Sequence, residues 1–200
     1  MKKIPIILMA ALTVLPNGKT VARTNGDRLP YWQDVQTVAV NKETPRTEFM
    51  NYENRETALE GDWALSPWYR SLNGTWKFRY FDSYRDIPSG IITEGTDGWS
   101  DIKVPGNWEV QGFGTALYVN HGYEFKPRNP LPPTLPENTP VGIYRRTFDI
   151  PAEWINEHRD IFLNVCGSKS GTYVFINGKE AGYSEDSKLE PEFNISKFIK

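Results

Sequence analysis

The run Ile176-Asn177-Gly178-Lys179-Glu180-Ala181-Gly182-Tyr183-Ser184-Glu185-Asp186-Ser187-Lys188-Leu189-Glu190-Pro191-Glu192-Phe193 decides the fold of this chain. Asn177-Gly178 offers two successive residues that tolerate positive φ, the requirement of a two-residue type I′ hairpin turn. Tyr173, Val174, Phe175 and Ile176 precede the turn, and Ala181 and Tyr183 follow it, so apolar strands flank it on both sides. The return strand runs into a polar, acidic loop that ends at Phe193. A carboxylate held at the mouth of a sheet accepts hydrogen bonds through both oxygens, which suits it to sugar hydroxyls.

Working outward, the same strand texture recurs. Trp76, Phe78 and Tyr80 alternate with Thr75, Lys77 and Arg79 in a half-buried pattern after Asn73-Gly74. Trp99 to Pro105, Leu117 to Val119, and Gly142 to Ile150 (with Tyr144, Phe148 and Ile150 on one face) add strands. Asp160 to Val165 reads as a buried strand, and Ala152 to Ile155 as one helical turn after Pro151. Pro127 to Pro140 holds six prolines and forms a surface loop, because proline cannot donate to a central ladder. Short strands, Gly/Pro-rich turns and no sustained helical period imply an all-β fold, a jelly-roll β-sandwich. That domain is expected over residues 68–200, incomplete at its C-terminal end, because a sandwich stopping at Lys200 leaves an edge unpaired. Before it, residues 23–67 read as an extended arm, with Tyr31-Trp32 and Phe49 to Tyr52 as apolar anchors and a helical turn within Asn54 to Leu65.

Bulk properties narrow the function classes. The net charge is −2, from 23 basic and 25 acidic residues that are well mixed, so a clustered positive field for nucleic acid is absent. The aromatic content of 14% suits stacking on sugar rings, although β-rich cores use aromatic residues in any case. Cys166 is the one cysteine, which excludes an internal disulfide and reads as a small buried hydrophobe. His121 and His158 do not form a metal-ligand spacing. Residues 1–22 resemble a signal peptide: Lys2-Lys3, an apolar run from Ile4 to Leu15, and Thr20-Val21-Ala22 as cleavage site. The run is too short to span a bilayer. The expectation is export, to the periplasm, without a membrane span.

Five stretches, in order, resemble the large bacterial β-galactosidases of family 2 of the glycoside hydrolases. They are Val40-Asn41-Lys42-Glu43-Thr44-Pro45-Arg46; Ser71 to Phe78; Ile102 to Glu109 with Gly112 and Tyr118-Val119-Asn120; Pro140 to Arg146; and Gly182 to Phe193. The resemblance implies the N-terminal sugar-binding domain of a retaining exo-β-galactosidase acting on terminal β-D-galactosyl residues of an oligosaccharide or polysaccharide. It implies a (β/α)₈ barrel elsewhere whose two glutamates, about 5 Å apart, perform the reaction; no catalytic residue is expected in this segment. By the same resemblance Asn120 and Asp186 are substrate-binding, Asp186 is one ligand of a sodium ion, magnesium serves the barrel, and the arm favours a homo-oligomer. One departure stands in Asn120-His121-Gly122-Tyr123-Glu124-Phe125, where many relatives have Asn-Val-x-Tyr-Pro-Phe, which leaves the shape of the loop after Asn120 open.

The residues also support plainer readings. Asn120 before His121-Gly122 suits a turn, and Asp186-Ser187 a solvated turn. Trp108 and Tyr183 are placed in the core in preference to stacking on sugar. Asn73-Gly74-Thr75 and Asn194-Ile195-Ser196 fit the glycosylation sequon, read as accidental in strand context. Two competing functions remain: a non-catalytic carbohydrate-binding module, or a β-glucuronidase or β-mannosidase of the same family. Those relatives usually carry a Gly-rich loop where this chain has Ser184-Glu185-Asp186-Ser187.

Overall fold

Strands run in the order β1 (Lys2–Ala10), β2 (Ala39–Val40), β3 (Gly74–Phe81), β4 (Ser100–Val104), β5 (Val141–Ile150), β6 (Phe162–Asn164), β7 (Thr172–Ile176), β8 (Lys179–Ser184) and β9 (Glu192–Asn194). The structure is a computed structural model and describes residues 2–10, 30–116, 134–169 and 171–199. The expected strand at Leu117 to Val119, Asn120 and the first half of the proline-rich loop, 127–133, lie outside the described residues. Seven strands pair as β2-β8-β7-β1-β5-β3-β4, and β6 pairs with β9 in a second sheet. All these pairings are antiparallel. The chain is an all-β sandwich, and no helix among the described residues is long and apolar enough to cross a membrane.

The hairpin forms as its turn chemistry requires. Asn177 and Gly178 take φ of 53° and 76° between β7 and β8, the positive pair of a type I′ turn. All five residues of β7 are buried. Tyr173 and Phe175 face one hydrophobic core with Val141 and Ile143. Val174 and Ile176 face a second core with Phe193 and Ile195. A strand covered on both faces reads as a continuous apolar run, not as an alternation. In β3, Trp76 and Phe78 are buried as their spacing predicts, with Tyr80 half-buried. In β6 only Leu163 is buried while Phe162 and Asn164 face out, so this strand is half-buried, not fully buried as expected.

The arm is more than an extended tail. Tyr31 and Trp32 are buried in the first core. Asn54 caps the short helix α1 (Arg55–Glu60) by accepting from the Thr57 N–H, and Gly61 ends it at φ 69°. The expected turn after Pro151 is helix α2 (Ala152–Asn156).

Strand β1 lies between β5 and β7, paired with β5 from Lys2↔Ile150 to Ala10↔Gly142 and with β7 from Ile6↔Ile176 to Ala10↔Thr172. This is the segment read as the apolar part of an export signal. A short apolar run satisfies either use, because a signal core and a buried strand both demand continuous hydrophobicity. The two uses exclude each other in one molecule: a removed segment cannot be the middle of its sheet.

Candidate functional site

Asp186 follows the end of β8, where the arm meets the sheet. Ala39 and Val40 of β2 pair with Ser184 and Tyr183, and the Glu185 N–H donates to the Val38 carbonyl at 3.1 Å. The chain then turns on Asp186 itself. Its Oδ1 accepts the N–H groups of Lys188 at 2.9 Å and Leu189 at 3.0 Å, the self-closing turn that short acidic side chains favour. Its Oδ2 lies 3.7 Å from the Lys42 Nζ. The two backbone N–H groups hold the carboxyl below its ordinary pKa of 3.8, and Lys42 adds to the effect against a partial opposing desolvation. Asp186 is therefore an anion at neutral pH, fixed at one oxygen and 35% exposed.

The floor beneath this loop is aromatic and buried. Tyr183 is fully buried with its ring 4.5 Å from that of Tyr173. Burial and the Glu185 carboxylate, which accepts from the Tyr183 hydroxyl at 2.8 Å, push this phenol far above its ordinary range, so it stays a neutral donor. Tyr183 thus packs and does not stack on a sugar. Trp108 is half-buried, its ring against those of Phe78 and Tyr80 on one side and on the lining of the cleft described below on the other. A Cβ on Gly142 would come within 2.4 Å of the Trp108 ring, so that position admits only glycine.

The arm is clamped across the edge of both sheets beside Asp186. The hairpin register shifts between Val174 and Phe175, which pair with Gly182 and Glu180 and leave Ala181 as a bulge. Asn41 Nδ2 donates to the Ala181 carbonyl at 2.7 Å and to the Asn194 carbonyl at 3.1 Å, joining β8 to β9. Lys42 bridges Phe193, and the Glu43 N–H donates to the Glu192 carbonyl at 2.8 Å. Arg46 pairs with both oxygens of Glu192. Gly182 allows this closeness: a Cβ there would lie 2.3 Å from the Phe193 ring and 2.9 Å from the Val40 carbonyl. The Lys42–Asp186 contact was not legible in sequence. The arm motif around Val40 to Arg46 stood out, but nothing in its spacing related it to a loop so distant in the chain.

Asn120, the other expected site residue, lies outside the described residues. Asp186 offers one oxygen to a hard cation, which is held by several oxygens; it fits as one ligand and is no complete site. A cleft of about 1650 Å³ opens beside the loop, with Glu185 and Ser187 on its lining. Asp186 is not among the lining residues. Elsewhere, Cys166 is exposed, contrary to the buried role expected for it. The chain leaves β6 after Asn164 and carries it outward beside Glu48 and Glu190.

Comparison with known proteins agrees with this architecture. The family described as "Glycosyl hydrolases family 2, sugar binding domain" matches residues 69–200. A protein named beta-galactosidase from Actinobacillus pleuropneumoniae is 34% identical over 170 residues, 85% of this chain and 16% of its own length. "Beta-galactosidase 2" of Enterobacter cloacae is 35% identical over 169 residues, again 16% of its length. The beta-galactosidase of Pectobacterium atrosepticum is 39% identical over 132 residues, 65% of this chain and 12% of its own length. The chain thus spans about a sixth of the length of the first two of these relatives. With a sandwich built on the Asn177-Gly178 hairpin and a match across residues 69–200, this chain belongs to family 2 of the glycosyl hydrolases and carries its sugar-binding domain.

Proposed function

We propose that this chain is the substrate-completing N-terminal part of a retaining exo-β-galactosidase. The substrate is a terminal β-D-galactosyl residue of an oligosaccharide or polysaccharide. The acid/base and nucleophilic glutamates belong to a (β/α)₈ barrel outside these residues. In this reading Asp186 accepts hydrogen bonds from galactose hydroxyls, and Asn120 supplies a second polar group to the same ring. Asp186 is also one ligand of a sodium ion, which would place a fixed positive charge against the sugar oxygens; magnesium serves the barrel. The protein is exported to the periplasm, and the arm favours self-association.

The observation that supports this reading best is the state of Asp186. It is ionised, held at Oδ1 by two N–H groups and faced at Oδ2 by the Lys42 ammonium, and 35% exposed just past the end of β8. The N–H contacts at Oδ1 would by themselves also close a solvated turn. A hydroxyl-binding group needs all three, because a carboxylate works best when it is charged and already oriented.

The test is Asp186→Ala in the full-length protein, assayed on a nitrophenyl β-galactoside. Loss of a charged hydrogen bond at the transition state predicts a fall in kcat/KM worth ~2–4 kcal/mol, with an unchanged circular dichroism spectrum. An unaltered rate would remove Asp186 from the site. Parallel assays on glucuronide and mannoside substrates decide the sugar. Tight galactose binding by this chain alone, without hydrolysis by the full-length protein, would make it a binding module instead.

A further inference from the structure

We infer that Lys42 is a positioning residue for Asp186, and that through it the N-terminal arm takes part in the sugar site; this rests on the galactoside reading above. The argument begins with what holds each carboxylate oxygen. Oδ1 is fixed by the N–H groups of Lys188 and Leu189. One fixed oxygen does not fix a carboxylate, since its terminal torsion is broad and the group can pivot about the held atom. Oδ2 faces the Lys42 ammonium at 3.7 Å, and that second attachment settles the pivot.

Lys42 is suited to this by its own confinement. Its side chain is only 8% exposed, where a long, flexible lysine is normally in water. An ammonium withdrawn from solvent needs a compensating anion, and Asp186 supplies one. The backbone carrying Lys42 is tied on both sides. Asn41 binds the Ala181 and Asn194 carbonyls, Lys42 bridges Phe193, and Glu43 donates to Glu192. The ammonium position is therefore set by the sandwich, and the arm cannot shift without moving it. A charged group aligned before substrate arrives spares the site that reorganisation at the moment of reaction.

A double-mutant cycle in the full-length enzyme tests this. The variants are Asp186→Asn, Lys42→Met, Lys42→Gln, Lys42→Arg, and the Met and Gln changes each combined with Asp186→Asn. Two uncharged replacements are used so that loss of one to misfolding leaves the other to decide, and thermal midpoints are recorded for all. Lys42→Met and Lys42→Gln should each lower kcat/KM about tenfold, the scale on which supporting groups act. They should also weaken galactose binding measured by calorimetry, whereas Lys42→Arg retains most of both. In the Asp186→Asn background the Lys42 changes should cost nothing further, because their effect passes through the carboxylate. Losses that multiply in the double variants, or Lys42 variants with unchanged kinetics, overturn this inference alone. An Asp186→Asn enzyme with full activity removes Asp186 from the site and overturns this inference with it, whereas a full-length protein without activity on a β-galactoside overturns the galactoside reading itself.

Discussion

Replacing Asn41 tests how the arm is anchored, and the expected size follows from its contacts. Its side chain donates two hydrogen bonds, to Ala181 at 2.7 Å and Asn194 at 3.1 Å. Each such bond contributes about 1 kcal/mol net. Its backbone sits at φ 53°, where a residue with an ordinary Cβ is disfavoured by about 1 kcal/mol and asparagine is tolerated. Asn41→Ala loses both bonds and takes on the backbone strain, a total of about 3 kcal/mol. Asn41→Gly loses the bonds and keeps a compatible backbone, at about 2 kcal/mol. Urea unfolding followed by tryptophan fluorescence reads the difference. With a slope of about 2 kcal/mol/M, the midpoints should fall by about 1.5 M for alanine and 1 M for glycine. The reasoning fails if alanine shifts the midpoint by less than about 0.3 M. It also fails if glycine is as damaging as alanine, since the φ argument predicts a gap. On the galactoside reading proposed above, Asn41→Ala should also lower kcat/KM of the full-length protein, because Asn41 anchors the backbone that carries Lys42.

Further outcomes follow from the same contacts. Gly182→Ala forces a Cβ to within 2.3 Å of the Phe193 ring; overpacking of about 1–3 kcal/mol should appear as a lowered thermal midpoint, and a midpoint equal to wild type would mean that the arm and β9 shift freely. Asp186 has a folded-state pKa below its ordinary 3.8. Its contribution to stability is thus complete above that value and is lost as pH falls through the lower folded value. Asp186→Asn should accordingly flatten the stability profile below about pH 4, and an unchanged acid limb would refute the assignment. Mass spectrometry of the protein recovered from the periplasm should show an N-terminus after Ala22, without Lys2 to Ala10. A mature protein that keeps those residues would refute export by cleavage and leave β1 as a permanent strand.

How far the sequence could be read depended on the range of the interaction. The Asn177-Gly178 turn, the helical turn within Asn54 to Leu65, and the alternation of Trp76, Phe78 and Tyr80 are set by neighbours within a few residues, and each forms as expected. Misreadings arose where burial depends on distant chain. Cys166 sits in an apolar run yet is exposed, since β6 ends two residues earlier. Phe162 faces outward in a strand read as buried. The segment Lys2–Ala10 is a different case and no misreading: it satisfies a signal and a strand equally, because hydrophobicity does not say what will cover it.

Sequence by itself determined the strand-rich class, the hairpin and an acidic residue in the loop after it, because turn chemistry and side-chain alternation are local properties. Only the tertiary structure decided that Asn41, Lys42 and Arg46 close over β8 and β9, and that the Lys42 ammonium faces Asp186. Contacts spanning some 140 residues depend on the bulge at Ala181 and the bare backbone at Gly182. Neither feature leaves a periodic trace, since each becomes meaningful only when the partner strand lies against it.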